Sequence, residues 1–515
     1  MNILLLHPPH TAIGSRVPRE HLPPLGLLSI GGPLRDAGHS VRLLDADRRA
    51  MTPDAIVQEI AAAPPDVLLV GHSGSSTAHP TIVALCTAIK RVLPSLTILY
   101  GGVHPSYHWD EILRDCPAID IIVRGEGEQT CVTLLDALAR RAPLADVRGI
   151  AYRQDGEVLA TPPAPLLRNL DDWRIGWELI DHKDYTYWGG KRAALVQFSR
   201  GCPHRCNYCG QRGFWTQWRH RDPLRFAREL ARLYREEGVE LINFADENPT
   251  ASRKAWRALL EALIAENVPL TLVGSTRAGD IVRDADILHL YRKAGVIRFL
   301  LGIESYNEAT LHAIGKGSTQ STDQQAIALL RQHGIVSMAT CVIGFTEERD
   351  RDFWRTFGHL RRYDPDQIQL LYATPHRWTP FYQTVAHRKI IQTDLRRWDY
   401  KHQVLANERV PAWRTFLWFK LIELGMQLRP AAVRRLFHPD ADFRHAMRWY
   451  TRVGRRVWFH EVAEFLFRTR LLKTGIMLRE FLGHSLAHRE YVLTKAPRAN
   501  PAASSQAESR HKQAA

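Results

Sequence analysis

The chain has 515 residues, 45% of them apolar and 24% charged, the balance of an ordinary globular protein with room for several cores. Seven cysteines in that length exclude a disulfide-built scaffold and point to a reducing compartment, and no run approaches the ~18 apolar residues that a membrane span needs. The net charge of +15 is uneven, with 21 Lys/Arg against 9 Asp/Glu in residues 401–515, which suits an anionic ligand, an anionic membrane surface or nucleic acid, and equally a solvated basic helical surface.

The opening MNILLLHPPH has no basic leader and soon meets prolines, so it reads as a first strand rather than a signal peptide. Further apolar runs follow at 41–45, 66–71, 97–102 and 119–125, separated by helical patterns such as LGLLSIGGPLRDAG. Continuous apolar strands alternating with helices indicate a parallel sheet covered on both faces, here a doubly wound, Rossmann-like α/β domain over residues 1–145. A ligand of such a sheet sits beyond the carboxyl ends of its strands. The loops HPPH (7–10), GHSGSS (71–76), GGVHP (101–105) and RGEGE (124–128) fall there, rich in Gly, Ser and His. They match no dinucleotide fingerprint. His7, His72, His79 and His104 are each open to three readings: metal ligand, hydrogen-bonding loop residue, or neither.

Residues 146–190 read as a connector, a short hairpin followed by a proline-rich link. The alternation then restarts, with strands expected at 194–200, 240–247, 270–277, 297–305, 336–345 and 367–375. Six β/α units over 191–400 predict a partial, TIM-like (β/α)6 barrel, whose chemistry belongs at the carboxyl ends of its strands. From about residue 401 the strand signal fades into amphipathic helices rich in Trp and Phe, expected to run to 495. Residues 496–515 are small and polar, hence expected to be disordered.

The chemistry-bearing segment follows the first barrel strand: SRGCPHRCNYCGQRGFWTQW, with Cys202-x3-Cys206-x2-Cys209. Cys86, Cys116, Cys131 and Cys341 lie in apolar surroundings and read as core residues. Structural zinc normally closes with four ligands, usually two separated pairs. One compact loop with three cysteines fits zinc only if His204 or His220 completes the set. A 4Fe-4S cluster with three thiolates and one open iron fits the loop better.

With its β/α barrel, the C-x3-C-x2-C loop resembles the radical S-adenosylmethionine superfamily. That resemblance implies that Cys202, Cys206 and Cys209 hold the cluster and that S-adenosylmethionine chelates its open iron to yield a 5'-deoxyadenosyl radical. Residue by residue, it also implies that Tyr208 packs near adenine and that Asp246 and Glu247 accept hydrogen bonds from the cofactor's amino group. Arg277 would pair with its carboxylate, and Glu304 would hold the ribose hydroxyls. A doubly wound domain ahead of the barrel resembles the cobalamin-binding branch, which implies that His72, Ser73, Gly101 and Gly102 help to carry a cobalamin. The D-x-H-x-x-G motif that supplies a lower axial histidine elsewhere is absent.

Longer stretches (HLPPLGLLSIGG, GHSGSSTAHPT, YGGVHPSYHW, VRGEGE, ADENPTAS, TPHRWTPF) resemble the anaerobic oxidative cyclase family of that branch. This implies an oxygen-independent closure of the isocyclic ring on a magnesium-protoporphyrin monomethyl ester, giving divinyl protochlorophyllide with oxygen from water in bacteriochlorophyll synthesis. It also implies a reduced donor such as ferredoxin or flavodoxin, no nucleic-acid partner, and a cytoplasmic protein open to peripheral contact with the inner membrane. Arg377 or an Arg of 452–456 is a candidate for the free propionate, and His376 for the substrate's magnesium. The alternative is another cobalamin-dependent radical enzyme, such as a methyltransferase.

Overall fold

The computed structural model describes residues 1–10, 20–71, 76–211 and 213–467. The expected helical run from 468 to 495 and the expected disordered tail lie outside the described residues.

Two seven-stranded sheets organise the chain. The first holds β1 (Asn2–His7), β2 (Ser40–Asp45), β3 (Val67–Val70), β4 (Thr97–Gly101) and β5 (Ile121–Val123), parallel in the order 2-1-3-4-5. β3 and β5 are buried at every residue and β1 at all but its first, as expected of a parallel sheet covered on both faces, while the edge strand β2 is only partly buried. Their side chains feed two apolar layers. One contains Leu4, Leu6, Leu68 and Ile98; the other contains Ile3, Leu5, Leu69 and Leu99. The strand order reverses between β1 and β3, the switch point at which doubly wound sheets bind ligands.

The connector contributes to both sheets. Its hairpin, β6 (Ile150–Gln154) and β7 (Glu157–Ala160), extends the first sheet antiparallel to β5. Its last residues form β8 (Thr186–Tyr187), which pairs antiparallel with β9 (Lys191–Val196) of the second sheet. A strand edge beside β5 and another beside β9 offered unpaired backbone groups, and the connector satisfies both.

After β9 comes a two-stranded ribbon, β10 (Ser199–Arg200) with β11 (Arg219–His220). The remaining barrel strands are β12 (Leu241–Phe244), β13 (Thr271–Thr276), β14 (Val296–Glu304), β15 (Val336–Ile343) and β16 (Gln367–Tyr372). With β9 they make six parallel strands in sequential order, an open partial barrel. The covering helices start where the sequence supplies caps: Asp222 accepts from Arg225 N–H, Ser252 from Ala255 N–H and Thr319 from Thr322 N–H. Helices 412–428 and 441–467 follow. The latter seals the amino-terminal end of the barrel, where Phe443, Ala446 and Met447 pack with Ala193, Val273 and Ile297. The carboxyl ends of the barrel strands stay available, facing those of the first sheet.

Candidate active site

A cavity of about 620 Å³ lies between the two sheets. Its wall includes Cys202, Cys206, Tyr208, Cys209, Glu247, Arg277 and Glu304, contributed by the cysteine loop and by the ends of β12, β13 and β14. Convergence on one space is what strand-end placement in a barrel predicts.

The cysteine loop has no regular structure, so its neighbours must hold it. Its base is closed by the β10–β11 ribbon. Gly201 sits at φ +89°, and a Cβ there would come 2.5 Å from the Gln217 carbonyl oxygen, so only glycine fits ahead of Cys202. Asn207 N–H donates to the Ile314 carbonyl at 2.9 Å, its carbonyl accepts from Phe381 N–H at 3.0 Å, and Trp378 Nε1–H donates to the Gly210 carbonyl at 2.7 Å. An Arg277 nitrogen lies 3.8 Å from Cys206 Sγ. Its guanidinium also donates to the Lys316 and Gly317 carbonyls. Burial raises the Cys202 thiol and takes that of Cys209 to about 11. A positive metal centre reverses such a penalty by binding thiolate.

The donor set fits an iron-sulfur cube better than one zinc ion. No three His, Cys, Asp or Glu side chains among the described residues converge as a single-ion site requires, whereas a cube takes one thiolate on each of three separate corners. His204 and His220, the imidazoles that could have completed a zinc set, are exposed and line neither cavity.

The neighbouring carboxylates divide the work differently from the sequence expectation. Asp246 does not face the cavity. One of its oxygens accepts from Phe198 N–H at 3.0 Å, and the other from both the N–H and the hydroxyl of Ser199. It therefore positions the strand leading into the cysteine loop. Burial pushes its carboxyl up to about 7 despite those bonds. Glu247 does line the cavity and accepts from Gly201 N–H at 3.1 Å. Burial, then the charge of Asp246, raises it to about 8. Glu304 is held at φ +65°, where β14 slips register against β15, and its carboxylate lies 3.1 Å from Lys316 Nζ. A non-glycine residue at positive φ is strain of order 1–3 kcal/mol that surrounding structure must sustain. Tyr208 packs edge-on against Phe345 at 4.9 Å; burial, followed by Glu304, raises its phenol well above the usual range.

A second cavity of about 280 Å³ opens at the carboxyl ends of β3, β4 and β5. Gly101 and Gly102 line it, with Gly71 and Gly125, and Gly102 stands at φ +118°. Phe214, Trp215 and Arg200 of the barrel complete it. Phe214 and Trp215 belong to GFWTQW (213–218), one of the aromatic stretches the sequence offers as a wall for a flat aromatic substrate; Arg200 is not singled out by the sequence. Pro24, Val103, Leu195, Gln211 and Glu247 line both cavities, so the two spaces share a wall. His72 and Ser73 lie outside the described residues.

Several candidates are placed elsewhere. His79 stacks on Tyr100 and His104 lies 3.1 Å from Ser76 Oγ; neither lines either of these two cavities. Burial, then Arg377, lowers His79 to about 4. Arg377 is spent on Glu111 at 2.6 Å and His108 at 3.2 Å, tying barrel to first sheet instead of awaiting a propionate. Arg452, Arg455 and Arg456 are exposed on helix 441–467. His376 is fully buried, stacked on Trp378 and 2.8 Å from the Tyr400 hydroxyl, outside the cavity lining. Cys86, Cys116, Cys131 and Cys341 are buried in the core.

Comparison with known proteins adds the following. Residues 13–135 match the B12 binding domain and residues 196–360 the radical SAM superfamily. A protein of Synechocystis sp. named anaerobic magnesium-protoporphyrin IX monomethyl ester cyclase is 57% identical over 96% of this chain and 99% of its own length. One of the same name from Rubrivivax gelatinosus is 32% identical over 75% of this chain and 70% of its own. The solved cobalamin-dependent S-adenosylmethionine radical enzyme OxsB, with aqua-cobalamin and S-adenosylmethionine bound, superposes with a TM-score of 0.69 at 16% identity, over 94% of this chain and 75% of that one.

Proposed function

This chain belongs to the family of anaerobic magnesium-protoporphyrin IX monomethyl ester cyclases, and from that membership we propose that it closes the isocyclic ring of that ester without molecular oxygen, taking the new oxygen from water. The observation that carries the reading is the shared wall: a cavity bearing three thiols abuts a second one built on the cobalamin-type sheet. Cys202, Cys206 and Cys209 would hold a 4Fe-4S cluster that, with S-adenosylmethionine, would supply the radical chemistry needed to break an unactivated C–H bond, and the second cavity would hold a cobalamin beside it.

The chain's own groups then have these tasks. Arg277 pairs with the cofactor carboxylate as a fork, Glu247 accepts from its amino group, Glu304 receives the ribose hydroxyls, and Tyr208 packs at the adenine. Asp246 keeps the loop in place. Gly101 and Gly102 let the backbone approach the cobalamin closely, with His72 and Ser73 as further contacts. The largely apolar wall of the first cavity, including Leu300, Val342, Phe345 and Leu371, suits a flat aromatic macrocycle and excludes water.

Electrons come from a reduced ferredoxin or flavodoxin in the cytoplasm. No helix among the described residues is long and apolar enough to cross a membrane. Peripheral contact is part of the reading, since Leu421, Leu428 and Phe437 are more than half exposed in the basic C-terminal region. The sequence alternative, a methyl-transferring enzyme, is less supported, because the two relatives named above share most of this chain under the cyclase name.

Anaerobic reconstitution followed by iron, sulfide and cobalt analysis, then incubation with the ester, S-adenosylmethionine and a reductant, tests the proposal. A red-shifted green product retaining the ester supports it. A methylated porphyrin with the ring unclosed overturns it in favour of the alternative.

A further inference from the structure

His7 ends β1 and is the register partner of Asp45 at the end of β2. The parallel pairing therefore sets an imidazole against a carboxylate, with Nδ1 2.9 Å from Asp45 Oδ1 and the two residues only 4% and 6% exposed. Asp45 is fixed in turn by Arg48 N–H at 3.0 Å and by the Tyr185 hydroxyl at 2.9 Å. Burial works to raise this carboxyl, but the hydrogen bond and charge of His7, with those from Arg48 and Tyr185, outweigh it and hold it below its ordinary range. An ionised Asp45 is an acceptor only, so Nδ1 keeps its hydrogen, and a Lewis acid that takes the imidazole in its neutral form meets the lone pair of Nε2.

That Nε2 is buried and has no hydrogen-bond partner among the described residues, while His7 lines the same cavity as the three cysteines. A polar atom left unsatisfied in a dry wall costs about 1–3 kcal/mol, a cost removed when a ligand takes it. Imidazole oriented by a carboxylate on its other nitrogen is the arrangement in which histidine binds metals. Although the His10 ring lies 5.1 Å from that of His7, no three His, Cys, Asp or Glu side chains among the described residues converge as an ion held by the protein alone would require, so the Lewis acid arrives with the ligand. A magnesium porphyrin brings one: the ring fills the four equatorial positions and leaves an axial position open.

We infer that His7 is the axial ligand of the substrate's magnesium, with Asp45 and Tyr185 as positioning residues; this rests on the cyclase reading above. The macrocycle is thereby anchored at the end of the cavity formed by β1 and β2, with its periphery free to reach towards the cysteine loop. It gives a pocket of apolar residues a means of telling the magnesium ester from the metal-free one.

The test is titration of the anaerobically reconstituted enzyme with magnesium-protoporphyrin IX monomethyl ester and with the metal-free ester, followed by absorbance. Wild type should bind the magnesium ester about tenfold tighter or more, with the band shift of an added axial nitrogen. His7→Phe should bind both esters alike, at the wild-type affinity for the metal-free one, which also reports an intact pocket. In His7→Gly, added imidazole should restore the shift, and Asp45→Asn should weaken it while leaving metal-free binding unchanged. Retention of the preference and the band shift in His7→Phe and His7→Gly overturns the inference while leaving the cyclase reading in place, as does a wild type with no preference for the magnesium form. A wild type that binds neither ester overturns the cyclase reading itself.

Discussion

At the scale of single residues, adjacent positions do different jobs. Asp246 and Glu247 are consecutive, and successive side chains at a strand end point to opposite sides. One consequently braces Ser199 while the other lines both cavities. The motif ADEN was legible as a strand-end acid pair; which acid faced the cofactor was not, because that depends on where β9 lies beside β12. The cysteine spacing needed no such information. Cys202→Ala, Cys206→Ala and Cys209→Ala should each lose ring closure and most of the iron while the chain remains folded. Turnover in any of the three would count against the cluster. Gly201→Ala keeps every thiol but drives a Cβ to 2.5 Å from Gln217 O at a strained φ, so it should cost about 1–3 kcal/mol and lower iron per chain. Iron analysis beside denaturant unfolding checks both effects.

At the scale of elements, the RGEGE loop after β5 has a second role. Its glycines line the second cavity, but its acids clamp the barrel. Arg200 pairs with Glu126 at 3.0 Å and with Glu128, and Arg219 reaches Glu126 at 2.9 Å. Arg200 and Arg219 are register partners on the rung of the β10–β11 ribbon that closes the cysteine loop, so the clamp couples the first sheet to the cluster loop. Burial works to raise the Glu126 carboxyl, but Arg219 and Arg200 outweigh it and hold it below its ordinary 4.5. A depressed carboxylate contributes stability that is fully present above its unfolded value and lost as pH falls through its folded value. Glu126→Gln should therefore cost about 3 kcal/mol near neutrality, and the gap to wild type should narrow as the pH falls below the ordinary carboxyl value of 4.5 and through the depressed folded one. Denaturant unfolding of both proteins against pH measures this. A gap that does not change with pH would place the loss in packing instead of charge.

At the scale of the whole molecule, function depends on two sheets whose carboxyl ends face each other, and on cavities that belong to neither sheet alone. The surface carries its own prediction. Exposed Leu421 and Leu428 on helix 412–428 and Phe437 in the turn that follows Arg434 and Arg435 should bring the protein down with anionic vesicles, less so as salt rises. Leu428→Glu with Phe437→Glu should reduce this without changing iron content; unaltered sedimentation would remove the membrane contact from the reading. The sequence by itself determined the alternation of strands and helices, both sheet types and the three thiols, since these rest on apolar periodicity and on spacing within one loop. Only the tertiary structure decided that the connector's hairpin completes the first sheet, that Asp246 and Arg377 are braces, that His376 is sealed away, and that His7 meets Asp45 in the cysteine cavity. The physical reason is that each of these is a pairing across elements. It is fixed by which strand lies next to which and by what remains for a polar group once its neighbours are buried, and no local pattern carries that information.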